Sequence, residues 1–412
     1  MIINDATWLF IRQHAGDDVR QLALQGAKDA AVDLPQALQQ IAGWQTACRK
    51  LPLWAATDGI VYPPHLNMEQ CSSEQTARYK ARLAGQGGVF VDLTGGFGVD
   101  FYWMSQGFER RVYVEQNASL CALAEHNFRL LNLACSVCCC TTESYLSQTD
   151  HADTVFLDPA RRDGHGGRTY ALADCTPNVL ELLPLLRQKS DRIILKLSPM
   201  LDWRKAVADL GHVSQVHIVS VDNECKELLL VLGKEEAGAL QIHCVNNGSS
   251  FVIDSTPPCD SRNGASASDD RNGASESDDR NGASLADSRT VNASYLYEPN
   301  ASIMKAGCFS ELEECFPVSQ LAHNSHLFVS GDEVAGFPGR RFRIEHVCSM
   351  NKRDLKTALT GITHANISVR NFPLSADELR RKLKVKDGGD VFLFGTTTAD
   401  RQHKLFICRK IG

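Results

Sequence analysis

No stretch of the 412-residue sequence approaches the run of about 18 apolar residues that a membrane-spanning helix requires, so no membrane partner is expected. The opening residues, Met1 to Asp18, carry acids early and no sustained apolar core. They do not read as a secretory leader, and a cytoplasmic location is expected. Framework spacing of cysteines is missing too. The 15 cysteines are odd in number and scattered, which argues for reduced thiols rather than a disulfide scaffold. Large net charge is also absent. With 43 % hydrophobic and 22 % charged residues the composition is that of an ordinary globular chain, long enough for two to four domains.

The small net charge of -6 conceals an asymmetry. Between Arg340 and Lys386, 12 Lys or Arg residues face four acids, a local net of +8 that leaves -14 on the remainder. A neutral-to-acidic body with one basic end suggests an enzyme core joined to a module that faces a polyanion.

Residues 1–60 carry apolar side chains at helical spacing, as in Ala37 to Trp44, and no strand-like runs. A turn-rich segment with Pro63 and Pro64 follows. Ser72 to Leu83 then reads as a helix, with Ser72 and Gln75 at capping-box spacing. From about residue 88 short apolar runs alternate with helical segments. The strands are Val89–Leu93, Val112–Glu115, Val137–Cys140, Thr154–Leu157 and Arg192–Leu197, each pair separated by enough chain for a crossover helix. That alternation implies a parallel sheet with helices on both faces. Two further runs, Gln215–Val221 and Glu227–Leu232, lie too close for a crossover and must form an antiparallel hairpin. Residues 255–292 repeat Arg-Asn-Gly-Ala-Ser at Arg262, Arg271 and Arg280 with almost no apolar side chain, and are expected to form a disordered loop. Residues 330–412 alternate again, with strands at Phe342–Val347, Ile367–Arg370, Val391–Phe394 and Lys404–Cys408. Helices are expected at Lys352–Leu359 and Ser375–Leu383.

The strongest chemical motif is Val89-Phe-Val-Asp-Leu-Thr-Gly-Gly-Phe-Gly98. An apolar strand ends in Asp92, and Thr94, Gly95, Gly96 and Gly98 lead into a helix, where glycine permits a sharp turn and close approach to a ligand. Glu115 ends the next strand, 17 positions after Gly98, where a carboxylate can accept from both hydroxyls of a ribose. A pyrophosphate loop is disfavoured. Position 101 is Phe, not the third glycine, and Asp92 would repel phosphate. A ligand with cationic groups, such as S-adenosylmethionine, suits this turn better. A second cluster, Asp158-Pro-Ala-Arg-Arg162, follows the fourth strand, at the edge where a doubly wound sheet opens its ligand crevice. The cysteines at 135, 138, 139 and 140 tempt a metal reading, but successive strand residues point to opposite faces, so no metal is expected.

Asp92 to Gly98, Glu115, Asp158 to Arg162 and the closing hairpin resemble the class I S-adenosylmethionine-dependent methyltransferases, over about residues 60–233. The segment Glu74 to Tyr79 is similar to the one that precedes the first motif in trimethylguanosine synthases. The whole chain resembles the bacterial methyltransferases with a ferredoxin-like insert and a C-terminal THUMP-like domain, the latter through Arg370-Asn-Phe-Pro-Leu-Ser-Ala-Asp377. The resemblance implies an α/β, Rossmann-like seven-stranded sheet with N-terminal helices and small α+β C-terminal modules. It implies a helical region at 1–60, the methyltransferase domain at 61–235, a ferredoxin-like segment at 236–329 and the THUMP-like domain at 330–412. It places Asp92, Thr94, Gly95, Gly96, Gly98, Glu115, Thr142 and Asp158 around S-adenosylmethionine, and Asp158, Pro159 and Arg161 at the chemistry.

The family's usual motif has two prolines and an aromatic residue where this chain has Ala160 and Arg161, so Arg161 is left to stack through its guanidinium or to bind phosphate. Ser198, with no cysteine near it, disfavours carbon methylation through a covalent adduct. THUMP domains bind RNA, so Arg162, Arg380, Arg381 and Lys384 are the expected RNA contacts. Methyl transfer to tRNA or rRNA at a base nitrogen, by direct in-line displacement, is the expected function. A small-molecule or protein methyltransferase, and a non-catalytic RNA-binding protein on the same frame, remain open.

Overall fold

The computed structural model describes residues 3–161, 172–233, 238–255 and 293–411. The repeat-bearing loop expected at 255–292 lies almost wholly outside them. The chain divides into two compact units, Met1–Val219 with Lys226–Gln241, and Ser220–Cys225 with Ile242–Gly412. No described helix is long and apolar enough to cross a membrane.

The first unit begins with six helices, α1 (Asp5–His14), α2 (Val19–Gln25), α3 (Leu34–Lys50), α4 (Pro52–Ala56), α5 (His65–Gln70) and α6 (Glu74–Ala84). Polar side chains fix where most of them start. Asn4, Asp18 and Asp33 each accept an orphan amide in the first turn of α1, α2 and α3. The cap of α6 is Ser73, which accepts from the Thr76 amide. The expected cap, Ser72, stands one residue outside, and its hydroxyl is bonded to the Asp100 carboxylate instead. Two adjacent serines offer the same local chemistry, and a long-range partner decided between them.

The alternating part follows as β1 (Gly87–Asp92), α7 (Val99–Met104), β2 (Phe108–Glu115), α8 (Ala118–Leu130), β3 (Ser136–Cys139), α9 (Thr142–Gln148) and β4 (Ala152–Leu157). A two-residue pair, β5 (Ala160–Arg161) with β6 (Cys175–Thr176), comes next. Then come α10 (Val179–Lys189), β7 (Ser190–Leu197), α11 (Trp203–Leu210), β8 (Val213–Val221) and β9 (Glu224–Gly233). In this unit the strand order is β8-β9-β7-β4-β1-β2-β3. β1 pairs parallel with β2 and β4, β2 with β3 and β4 with β7, while β9 runs antiparallel to β7 with Leu195 opposite Leu230. The closing hairpin turns at Asp222 and Asn223, both at positive φ, a conformation that favours these residue types. This is the expected α/β sheet. The strand order reverses between β1 and β4, so their carboxyl ends part and leave a crevice.

The helices before β1 share one core with the sheet. Trp54 and Tyr62 pack on Phe97 of the β1–α7 turn, and Phe90, Phe101, Tyr113 and Phe128 form a ring cluster beside it in which Tyr113 meets Phe101 and Phe128 edge-on. A buried amide joins the two layers. Asn127 on α8 accepts from the Val61 amide at 2.9 Å and donates to the Val61 carbonyl at 2.8 Å.

In the second unit β10 (Leu240–Asn246) and β11 (Ser249–Ser255) precede a seven-stranded sheet. Its strands are β12 (Tyr295–Pro299), β13 (Ser319–Gln320), β14 (Phe328–Ser330), β15 (Gly339–Ser349), β16 (Asn366–Arg370), β17 (Val391–Thr397) and β18 (His403–Ile411), in the order β13-β14-β12-β15-β18-β17-β16. Helices Lys352–Ala358 and Ala376–Leu383 pack on β15 and β16, close to the expected ranges. Ser375 and Glu378 form the full capping box. The strands read from sequence match β15 to β18, whereas β10 to β14 were not read.

Asn127→Ala leaves both polar groups of Val61 buried without partners, each costing about 1–3 kcal/mol. A loss of roughly 3 kcal/mol in urea unfolding is expected, and a loss below about 1 kcal/mol contradicts the linking role.

Candidate active site

A cleft of about 1140 Å³ opens at the carboxyl ends of β1, β2, β4 and β7. Its floor is the turn after β1. The Asp92 side chain is buried, and its Oδ1 accepts from the Thr94 amide at 2.9 Å. The Thr94 hydroxyl in turn accepts from the Asp158 amide at 2.7 Å, stitching β1 to β4. The Gly95 amide donates to the Val114 carbonyl. A Cβ there would lie 2.1 Å from the Tyr113 ring, so no larger residue fits. Gly98 caps α7 at φ +86°, and a Cβ would meet Phe128 at 2.6 Å. The Tyr113 hydroxyl donates to the Gly96 carbonyl at 2.6 Å. The glycines are therefore set by close packing under the turn as much as by conformation.

Glu115 closes one side. Its Oε2 accepts from the Gly96 amide at 2.9 Å and its Oε1 from the Asn117 amide at 2.8 Å. Two backbone bonds orient the carboxylate and leave lone pairs on each oxygen for a ligand's hydroxyls. Thr142, also on the wall, donates to the Leu93 carbonyl at 2.8 Å, which commits its proton to the turn.

Asp158 and Pro159 line the opposite side. Asp158 is ion-paired at 2.5 Å with Lys196 near the end of β7, and Lys196 lies 3.6 Å from Asp100 on α7. Asp100 pairs at 3.0 Å with the fully buried Lys80 of α6, and Lys80 pairs at 2.5 Å with Glu227 of β9. Burial alone would lower the Lys196 ammonium, but Asp158, Asp100 and Glu227 outweigh it and hold it above the ordinary lysine range. Burial would likewise raise Asp100, and Lys80 and Lys196 reverse this, so it sits below the usual carboxylate range. Asp92 has no such cation. Burial pushes it well above its ordinary value, and although the Thr94 amide opposes this, Asp100, Asp158 and Glu115 push further.

The sequence motifs are thus brought together at Asp92, Thr94, Gly95, Gly96, Gly98, Glu115, Thr142, Asp158 and Pro159. Arg161 contributes its backbone to β5, and its side chain, like all of Arg162, lies outside what the structure describes. Arg380 and Arg381 lie on helix Ala376–Leu383, and Lys384 stands just past its end at φ +56° rather than on its face. Arg380 is paired with Asp387 at 2.7 Å, whereas Arg381 and Lys384 are exposed. Sequence reasoning missed Ser72, Lys80, Asp100, Lys196 and Glu227 as a group. The one visible sign was a lysine inside the apolar run Ile193-Ile-Leu-Lys-Leu197.

Two family models match the C-terminal part, a ferredoxin-like domain over residues 295–338 and a THUMP domain-like model over residues 339–410. No curated protein matches the sequence. A crystal structure of a candidate methyltransferase from Porphyromonas gingivalis W83 is 30 % identical over 100 % of both chains, with a TM-score of 0.81. TrmK of M. capricolum, solved with S-adenosyl-homocysteine, is 13 % identical over 39 % of this chain and 69 % of its own, with a TM-score of 0.31. RsmC of T. thermophilus, a 16S rRNA methyltransferase solved with AdoMet and guanosine, is 13 % identical over 44 % of this chain and 45 % of its own, also with a TM-score of 0.31. These last two likenesses are too distant to bear on the chemistry.

Because the Asp92 proton is held more tightly in the folded protein than in the unfolded chain, its contribution to stability is complete below the ordinary carboxylate range. That contribution is lost as pH rises through the raised value. In ligand-free protein Asp92→Asn should therefore raise Tm relative to wild type at about pH 8 and change it much less at about pH 4. Calorimetric scans at both pH values decide, and an equal shift at the two contradicts the reading.

Proposed function

The chain belongs to the family of the Porphyromonas gingivalis candidate methyltransferase, and from that premise we propose that it is an S-adenosylmethionine-dependent methyltransferase that acts on RNA by direct in-line transfer. The observation that carries the cofactor is the unbalanced charge at the floor of the cleft. Asp92 is buried among other carboxylates with no cation of its own, so a ligand bearing an ammonium and a sulfonium supplies the charge that the site lacks. The same ligand presents ribose hydroxyls, for which Glu115 keeps oriented lone pairs. The turn at Gly95 to Gly98 admits backbone-close contact because its glycines have no side chains to obstruct it. These features fit the cofactor, and a dinucleotide's phosphates fit them badly.

When bound, S-adenosylmethionine supplies an electrophilic methyl group on sulfur. The protein's part is to align an acceptor with it, since in-line displacement depends above all on orientation. Pro159 and Asp158, at the carboxyl end of β4, face the cleft where an acceptor enters. A base nitrogen and a hydroxyl are the two acceptors to be distinguished.

RNA as the substrate class rests on the second unit. Its THUMP-like stretch exposes Lys352, Arg353, Lys356, Arg381, Lys382 and Lys384, cations that release counterions when they neutralise phosphates. A polyanion is the partner such a surface fits.

Titration calorimetry with S-adenosylmethionine is expected to give a Kd in the tens of micromolar or tighter, and Glu115→Ala should weaken it by about tenfold or more. No heat of binding at ~100 µM protein removes the cofactor assignment.

A further inference from the structure

The cofactor reading uses Asp92 and Glu115 but leaves the ladder of alternating charges behind the cleft without a task. Along it stand Glu227, Lys80, Asp100, Lys196 and Asp158, joined at 2.5, 3.0, 3.6 and 2.5 Å. Ser72 braces it, accepting from Lys80 at 2.8 Å with its one proton directed at the Asp100 and Glu227 carboxylates. Lys80 and Glu227 are sealed, with side chains 0 % and 5 % exposed, while Asp100, Lys196 and Asp158 line the cleft. Removing such groups from water costs several kcal/mol each, and apolar residues of the same volume hold a fold together at least as well. A ladder of this kind, ending at the acceptor side of a cleft, is therefore better explained by chemistry than by stability.

The sign of the charges selects the acceptor. An amine that attacks a methyl sulfonium takes on positive charge, and an ammonium fixed beside it in a poorly screened site opposes that change. A hydroxyl behaves oppositely. It is a weak nucleophile until its proton is drawn away, and its oxygen then gains negative charge that an ammonium stabilises. Lys196 and Asp158 present such a cation and such a proton acceptor side by side. A second observation agrees. A base held for methylation is stacked in a pocket, yet among the described lining residues the aromatic ones are Phe97 and Phe156, both buried beneath the cleft, and position 160 is alanine.

We propose that the methyl acceptor is a ribose 2′-hydroxyl of RNA, with Asp158 taking its proton and the Lys196 ammonium stabilising the oxygen as it attacks. This departs from the base nitrogen expected from sequence, and it rests on the reading of the protein as an RNA methyltransferase. The hydroxyl oxygen forms a bond to the methyl carbon as the carbon–sulfur bond breaks. The electron pair of that bond stays on sulfur, which leaves as a neutral thioether, and the proton passes to the Asp158 carboxylate and on to water. Lys80 and Glu227 do not touch the reacting atoms: Lys80 holds Asp100 against Lys196, and the charge of Glu227 adds to those that favour the Lys196 ammonium.

The test incubates the full-length protein with methyl-labelled S-adenosylmethionine and total bacterial RNA. The RNA is then hydrolysed in alkali, and in parallel digested to nucleosides for mass spectrometry. Methylation of the 2′-oxygen blocks alkaline cleavage, so label in alkali-resistant dinucleotides and in ribose-methylated nucleosides is the expected result. Label confined to methylated bases overturns the hydroxyl acceptor and leaves the RNA methyltransferase standing. Cofactor binding without any labelling of RNA overturns both. Lys196→Met should lower kcat by about a hundredfold while calorimetric cofactor affinity stays within about threefold, and Lys196→Arg should recover part of the rate. Unchanged kcat in Lys196→Met overturns the role of Lys196. If that variant does not fold, the identity of the wild-type product still decides the acceptor.

Discussion

Parallel strands deliver their carboxyl ends to one edge, and in this protein four carboxylates meet there. Asp92 ends β1, Glu115 ends β2, Asp158 follows β4 and Asp100 enters from α7. Two unit charges 4 Å apart at an effective dielectric of 20 repel by about 4 kcal/mol, so such a cluster is tolerable only with compensation. The protein compensates unevenly. Lys196 and Lys80 neutralise the β4 and α7 side, whereas the β1 side is left with a carboxyl that prefers its proton. The division of the cleft into a side that wants a cation and a side that already has one follows from this asymmetry.

The sequence disclosed the first side far better than the second. Asp92, the glycines and Glu115 lie within a few residues of strand ends, so a strand–turn–helix reading locates them without knowledge of the rest of the chain. The ladder joins partners from separate elements, 20 positions apart for Lys80 with Asp100, 38 for Lys196 with Asp158 and 147 for Lys80 with Glu227. On a helix that also carries Glu74, Gln75, Arg78 and Arg82, Lys80 has every appearance of a solvated side chain in sequence. Only packing against β9 reveals that it is fully enclosed. The misplaced cap of α6 has the same origin, because Ser72 satisfies the local capping rule and is claimed by a tertiary partner.

The second unit shows how charge counts overstate an interface. Of the basic residues between Arg340 and Lys386, Arg340 and Arg370 converge on the buried carboxylate of Glu298, Arg341 pairs with Glu333, and Arg380 with Asp387. Those pairs join β12 to β15 and β16 and tie the helix Ala376–Leu383 to the turn after it, so part of the local excess is structural. What is left for phosphate is Arg343 on β15 and the exposed set on helices Lys352–Ala358 and Ala376–Leu383 and just beyond. Affinity built from such contacts is sequence-independent and salt-sensitive. On the proposed function it would hold an RNA without selecting a nucleotide.

On that reading selection comes from the cleft, where the Lys196–Asp158 pair decides what fits. If Lys196 were absent, Asp158 would be a free acceptor suited to the N–H groups of an amine. With Lys196 at 2.5 Å, one carboxylate oxygen is already committed, and the pair presents a donor and an acceptor together. A hydroxyl, which both donates and accepts, satisfies the two at once and gains negative charge beside the ammonium, whereas a nitrogen that attacks with its lone pair gains positive charge there. The deeper members of the ladder strengthen this preference. Lys80 keeps Asp100 ionised in the interior, and the ionised Asp100 helps to keep Lys196 protonated beside the acceptor. The buried half of the network thus sets the charge state of the half that reaches the cleft, which is a reason for its burial that packing alone does not supply.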